Sequence, residues 1–172
     1  MKRNTAEIKD EPTMSETLND LPKPARIELN QLLNQRLADA IDLQTQLKQA
    51  HWNVKNPNFI GLHRLLDEIN EAMADYVDMI AERVVQLGGV AEGTTRVAAA
   101  HSRLEEYPLA TTDGAAHVEA VAKGLATFGR EVRLSIDEAN ELDDDTADLF
   151  TETSRGIDKW LWFVEAHSQA MK

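Results

Sequence analysis

Residues 59–87 read FIGLHRLLDEINEAMADYVDMIAERVVQL and are followed at once by Gly88-Gly89. Leu62, Leu66, Ile69, Met73, Tyr76, Ile80, Val84 and Leu87 recur at spacings of three and four, the period of an amphipathic helix. The stretch is expected to be one long helix, capped at its C-terminus by the glycine pair. Its chemistry-bearing residues lie on another face. With His63 as origin and about 100° per residue, Asp67, Asp78 and Glu82 fall near about 40°, 60° and 100°, whereas the apolar stripe centres near about −97°. The face carrying these groups therefore points roughly 150° away from the core side of the helix. A metal site buried within one bundle is not what this arrangement describes.

Three further long helical patterns flank this one. The first covers residues 25–53, with Leu29, Leu32, Leu33, Leu37, Ile41 and Leu47 in its stripe, and is broken by Asn56-Pro57-Asn58. Another begins near Thr112-Asp113 and carries Val118, Val121, Leu125, Phe128, Val132 and Ile136; the last runs over 144–170 with Ala147, Phe150, Ser154, Ile157, Leu161 and Val164. Nothing reads as a strand. The connection over 88–111 is longer than most links in a bundle, and a crossover running the bundle's length needs that reach. Residues 94–100 have the composition of a short helix within it. The expected fold is all-α, a four-helix bundle over 24–170 behind a polar, flexible tail over 1–23, with Pro22 and Pro24 introducing the first helix.

Composition narrows the partners. The 172 residues hold 30 Asp and Glu against 18 Lys and Arg, a net charge of −12, and no cysteine. Such a surface repels phosphate backbones and attracts cations. Disulfides and thiolate metal sites are excluded. There is no secretory leader pattern after Met1-Lys2-Arg3 and no apolar run long enough for a membrane span, so a soluble, cytoplasmic chain is expected.

Asp67 and Asp78 are separated by about 16 Å along the helix axis, too far to share one ion. Two copies of the helix crossing antiparallel near Ala74 bring His63 and Asp67 of one against Asp78 and Glu82 of the other, and Ala74 and Ala81 allow close approach. His51, at the end of the first helix, joins His63 through the short turn. Asp78 and Glu82 are a like-charged i,i+4 pair that a cation would relieve. Imidazole with carboxylate suits iron, zinc or manganese better than calcium. The same residues would also serve as ordinary solvated surface. The Glu-x-x-His motif of di-iron bundles is absent from the chain.

The run Gln49-Ala50-His51-Trp52-Asn53-Val54, then Phe59 to His63 with Asp67, Asp78, Ala81-Glu82-Arg83 and Gln86-Leu87-Gly88-Gly89, resembles the Dps family, the DNA-protection-during-starvation mini-ferritins of bacteria. Gly93-Thr94-Thr95, Tyr107-Pro108-Leu109, the stretch from Asp143 to Asp148, and Asp158-Lys159 with Leu161-Trp162-Phe163 extend the likeness over about residues 27–166. The resemblance implies a ferritin-like fold assembled as a hollow dodecamer. It implies inter-subunit di-iron ferroxidase sites, with His51, His63 and Asp67 from one subunit and Asp78 and Glu82 from its neighbour. Two ions per site would be oxidised from Fe(II) to Fe(III), preferentially by hydrogen peroxide, and stored as mineral, with zinc or manganese as substitutes. Trp52 would accept a stray oxidising equivalent or pack at the interface.

Between Asp137 and Asp148 the chain has seven acids and no base. The resemblance places Asp143, Asp144, Asp145 and Asp148 near three-fold openings that admit Fe(II); an acidic helix start is the plainer alternative. The alternative function implied by the family is DNA binding and nucleoid compaction. Residues 1–23 carry Lys2, Arg3, Lys9 and Lys23 against Glu7, Asp10, Glu11, Glu16 and Asp20, so weak DNA binding is expected. His101, His117 and His167 have no matching partners and read as structural or surface residues.

Overall fold

The computed structural model describes residues 14–55, 57–111 and 113–169, with side chains as far as residue 167. Five helices follow in order: α1 (Lys23–Asn53), α2 (Phe59–Gln86), α3 (Thr95–His101), α4 (Gly114–Asn140) and α5 (Asp144–Gln169). The described residues contain no strand. Lys2, Arg3, Glu7, Lys9, Asp10 and Glu11, together with Asn56, Thr112 and Ala170, lie outside the described residues.

The expected stripes are the core. Leu62, Leu66, Ile69, Met73, Ile80, Val84 and Leu87 of α2 meet Leu29, Leu33, Leu37 and Leu47 of α1, Val121, Leu125, Phe128 and Val132 of α4, and Phe150, Ile157 and Val164 of α5, all buried. Helix α1 packs on α2 and α4, and α5 on α4 and α2. Cross-bundle contacts give the directions. Arg36 reaches Glu131 and Leu43 lies against Gly124, so α4 runs antiparallel to α1 and hence parallel to α2. Two parallel neighbours in sequence demand a connection that returns along the bundle.

That connection is held by the polar side of α1. Asn34 donates to the Val90 carbonyl at 3.0 Å and accepts from the Glu92 N–H at 2.9 Å. Further along, Gln35 donates to the His101 carbonyl, Asp39 accepts from the Arg103 N–H, Asp42 from the Ser102 hydroxyl, and Gln46 donates to the Glu105 carbonyl. Irregular backbone on a protein surface needs partners for its N–H and C=O groups, and these side chains supply them one turn after another. Helix α1 is consequently covered on three sides, and Asn30, Arg36 and Asp39 are buried polar residues within it.

The turn after α2 is a Schellman motif. Gly89 N–H donates to the Val84 carbonyl and Gly88 N–H to the Val85 carbonyl, with Gly88 at φ 83°. A side chain at Gly88 would also strike the Ser15 carbonyl, 2.8 Å from its Cβ position. That contact belongs to residues 14–22, which the sequence groups with the polar tail and which here lie against the bundle. Ser15 N–H donates to Gly88 O at 2.7 Å, and Arg26 ties the Leu21 and Leu87 carbonyls together.

Candidate metal centre

His51 is in the last turn of α1 and His63 in the second turn of α2, and the short link between them brings the rings into a stack with centroids 3.7 Å apart. Each ring binds the other residue's backbone: His51 Nδ1 lies 2.9 Å from the His63 carbonyl, and His63 Nδ1 lies 3.0 Å from the His51 carbonyl. A carbonyl can only accept, so both Nδ1 atoms carry the proton. Both Nε2 atoms are thereby left with a free lone pair, the form in which imidazole binds a metal. The His51 carbonyl is one of the unpaired last carbonyls of α1, so the contact also closes the helix end.

Asp67, one turn beyond His63, is partly exposed and accepts from Lys48 Nζ at 2.5 Å. The hydrogen bond from Lys48, aided by its charge and by the two nearby histidines, holds the Asp67 carboxyl below the usual range. Lys48 thus supplies a positive charge where a metal ion would need this carboxylate. Nothing in the ligand spacing marks Lys48, although it lies three residues before His51 and so on the same side of α1. Lys48→Gln is expected to raise affinity for Zn(II), used as a redox-inert probe, by about 2- to 5-fold, the range of an exposed ion pair. Competition with a chromophoric chelator measures this directly.

Asp78 and Glu82 are exposed on the outward face of α2 and make no hydrogen bond or ion pair among the described residues. Within one chain no group of three or more His, Asp or Glu residues is close enough to hold an ion, among the described residues. The structure therefore brings His51, His63 and Asp67 together at one end of the α2 face and leaves Asp78 and Glu82 apart at the other. Trp52, next in the chain to His51, is 69% exposed.

The acidic run divides. Asp144, Asp145 and Asp148 are exposed in the first turns of α5. Asp143 is not one of a solvent-facing group: its side chain is 10% exposed, paired with Arg83 at 2.6 Å, and accepts from the Thr146 N–H at 2.9 Å and from the Thr146 hydroxyl. It is the N-cap of α5 and pins that helix to α2. Burial alone would raise its carboxyl, but the Thr146 and Arg83 hydrogen bonds outweigh burial and bring it below the usual range. With the folded value depressed, its stabilisation is present above about pH 4 and is lost on further acidification. Asp143→Ala is expected to lower stability by about 1–2 kcal/mol in chemical denaturation, the cost of a lost cap.

Of the remaining histidines, His117 is buried, with Nδ1 2.6 Å from the Tyr107 hydroxyl. It fixes the far end of the crossover to α4. Burial pushes its pKa down and pushes that of Tyr107 up to about 12.

The ferritin-like domain family (Ferritin) matches residues 30–172, which include most of α1 and all of the other long helices. The DNA protection during starvation protein of Agrobacterium fabrum is 43% identical over 154 residues, covering 89% of this chain and 95% of that protein. The chain belongs to the Dps family. Its fold agrees with solved Dps structures. Dps from Mycobacterium smegmatis superposes with a TM-score of 0.85 at 31% identity, covering 89% of this chain and 93% of that one. DpsC from Streptomyces coelicolor gives 0.87 at 29% identity, covering 94% and 95%. Membership of the Dps family confirms the ferritin-like, all-helical architecture expected from the sequence.

Proposed function

We propose that the chain is a ferroxidase that takes Fe(II) as substrate at sites shared by two subunits and stores the Fe(III) produced as mineral inside a hollow dodecamer. The observation carrying this reading is the split of the donors. One end of the α2 face offers two imidazoles whose Nε2 lone pairs are left free by the Nδ1 hydrogen bonds, plus Asp67; the other offers Asp78 and Glu82, without partners among the described residues. An antiparallel two-fold pairing of α2 near Ala74 joins the two ends into a nitrogen-and-oxygen site for two ions.

In this reading His51, His63 and Asp67 bind on one side, and Asp78 and Glu82 close the site from the second subunit, with Glu82 bridging. The ferroxidase reaction itself balances simply: two Fe(II) each give one electron to hydrogen peroxide, its O–O bond breaks, and two hydroxide equivalents form beside two Fe(III). Holding both irons together lets peroxide take two electrons at once, which limits release of hydroxyl radical. Zinc or manganese in the same ligands would compete without that turnover. Removal of iron and peroxide is a route to the DNA protection for which the Agrobacterium protein is named. No described helix is long and apolar enough to cross a membrane, in keeping with a cytoplasmic role.

The reading is tested by anaerobic loading with a few Fe(II) per subunit followed by half an equivalent of peroxide. Complete conversion to Fe(III), with no hydroxyl radical caught by a spin trap, is expected; slow oxidation at the rate of free iron contradicts it. Asp144, Asp145 and Asp148 are assigned to the route in. Neutralising them (Asp144→Asn/Asp145→Asn/Asp148→Asn) is expected to slow Fe(II) uptake about 3- to 10-fold at low salt. The difference should shrink above about 0.3 M salt, where screening falls within a few ångströms. Stopped-flow Fe(III) absorbance at two ionic strengths measures both.

A further inference from the structure

We propose that Met14 is a peroxide-oxidised latch: its thioether holds residues 14–22 against the bundle, and conversion to the sulfoxide lets that segment go. Hydrogen bonds hold the segment down. Ser15 N–H donates to the Gly88 carbonyl at 2.7 Å, Arg26 donates to the Leu21 and Leu87 carbonyls, and Asn30 Nδ2 donates to Met14 Sδ at 3.4 Å. Leu21 is partly buried against the core, whereas Leu18 is fully exposed. A segment with so little apolar burial belongs to the low-stability end of a fold, where the loss of one contact shifts its opening equilibrium.

The sulfur is placed to be oxidised. Met14 is partly buried and lines a hollow of about 320 Å³ between α1 and the crossover, whose rim includes the exposed Gln31, Val90, Glu92 and His101. A water molecule takes up about 30 Å³, so peroxide, scarcely larger, has ample room beside the thioether. Met73, by contrast, is fully buried in the core. In the step, a sulfur lone pair attacks one peroxide oxygen. An S–O bond forms, the O–O bond breaks, and the second oxygen leaves as water with both protons. The sulfur is oxidised by two electrons and the peroxide reduced by two, with no metal taking part.

The product does not suit the contact it replaces. A thioether sulfur is a weak acceptor, but a sulfoxide sulfur is positively polarised and repels the Asn30 N–H. Asn30 is packed in place: it is 4% exposed, and its Cγ and Nδ2 lie 2.6 and 2.5 Å from where a Cβ at Gly89 would stand. Its Oδ1 already has no partner among the described residues, so losing the sulfur leaves a buried amide poorly satisfied at both ends. Departure of the segment lets water reach that amide, which is the direction the oxidation favours.

The test treats metal-free, full-length protein with hydrogen peroxide. Mass spectrometry follows the oxidation of each methionine and the hydrogen–deuterium exchange over residues 14–22. Met14 is expected to oxidise at least about tenfold faster than Met73, in line with its access. Exchange over residues 14–22 is then expected to rise about 3- to 10-fold, the range of one lost hydrogen bond. It should return to its starting value after treatment with the two methionine sulfoxide reductases. Met14→Leu has no sulfur at this position and is expected to exchange equally with and without peroxide. A peroxide-induced rise as large in Met14→Leu as in the parent overturns the latch. So does Met14 sulfoxide formed without a change in exchange, or oxidation of Met14 no faster than that of Met73. None of these readouts involves iron, so they hold or fail independently of the ferroxidase.

Discussion

Asp78→Ala/Glu82→Ala is expected to lower peroxide-driven Fe(II) oxidation by about 100-fold or more while leaving the fold of the chain unchanged. Loss of residues that merely orient metal ligands costs about 10- to 100-fold in affinity or activity, and removing two ligands outright costs at least as much. Neither carboxylate makes a hydrogen bond or ion pair among the described residues, so their removal takes no such contact from them. The like-charged i,i+4 repulsion even disappears, and thermal stability without metal is expected to stay level or rise slightly. Stopped-flow Fe(III) absorbance gives the rate and differential scanning calorimetry the stability. A rate within about threefold of the parent would mean that oxidation takes place elsewhere on the protein.

The second large effect is on stability. Arg36→Met is expected to destabilise the fold by about 3–5 kcal/mol, the cost of leaving a buried ion pair without one partner. Arg36 is 2% exposed and Asp39 fully buried; the guanidinium lies 2.8 Å from Asp39 and 3.3 Å from Glu131. Glu131 keeps Arg103 and Arg130 in the variant, but Asp39 keeps only the Arg103 N–H and Gln35. Burial already raises the Asp39 carboxyl despite Arg36 beside it. A carboxyl whose folded value lies above its unfolded one opposes folding once it ionises, so its penalty is absent in strong acid and grows as pH rises through the folded value. Without Arg36 that value rises further. The gap between parent and variant should therefore widen as pH rises through the carboxyl's folded range and narrow in acid. Urea denaturation at fixed subunit concentration measures it, because assembly itself adds apparent stability. Arg36→Met/Asp39→Leu should recover most of the loss, less the bond to the crossover.

How far the sequence carries can be judged at particular residues. The α2 stripe predicted most of its buried face, missing Leu65 and including the half-buried Tyr76, because a helix exposed on one side must separate apolar from polar groups. The divided polar face was visible for the same reason, since 100° per residue fixes direction without any tertiary knowledge. The crossover was legible as a length and as the short helix expected over 94–100, which is α3. Its attachment to Asn34, Gln35, Asp39, Asp42 and Gln46 needed the structure, because polar residues on a covered helix look like a solvent face in the sequence. Asp143 was hidden among its acidic neighbours: its bonds from Thr146 and its pairing with Arg83, sixty residues away, separate it from Asp144 and Asp145. Lys48 on Asp67 and the two histidines bonding each other's carbonyls are likewise contacts across a turn, which spacing alone does not give.

Whether two subunits build one site is tested most directly by complementation. His51→Ala/His63→Ala and Asp78→Ala/Glu82→Ala proteins are each made alone, then dissociated, mixed in equal amounts and reassembled. Random pairing gives an intact set of ligands in about a quarter of the shared sites. The mixture is therefore expected to recover about a quarter of the parent's fast Fe(II) oxidation, although neither variant alone has any. A mixture as inactive as its components, with reassembly verified by mass, would contradict the shared centre.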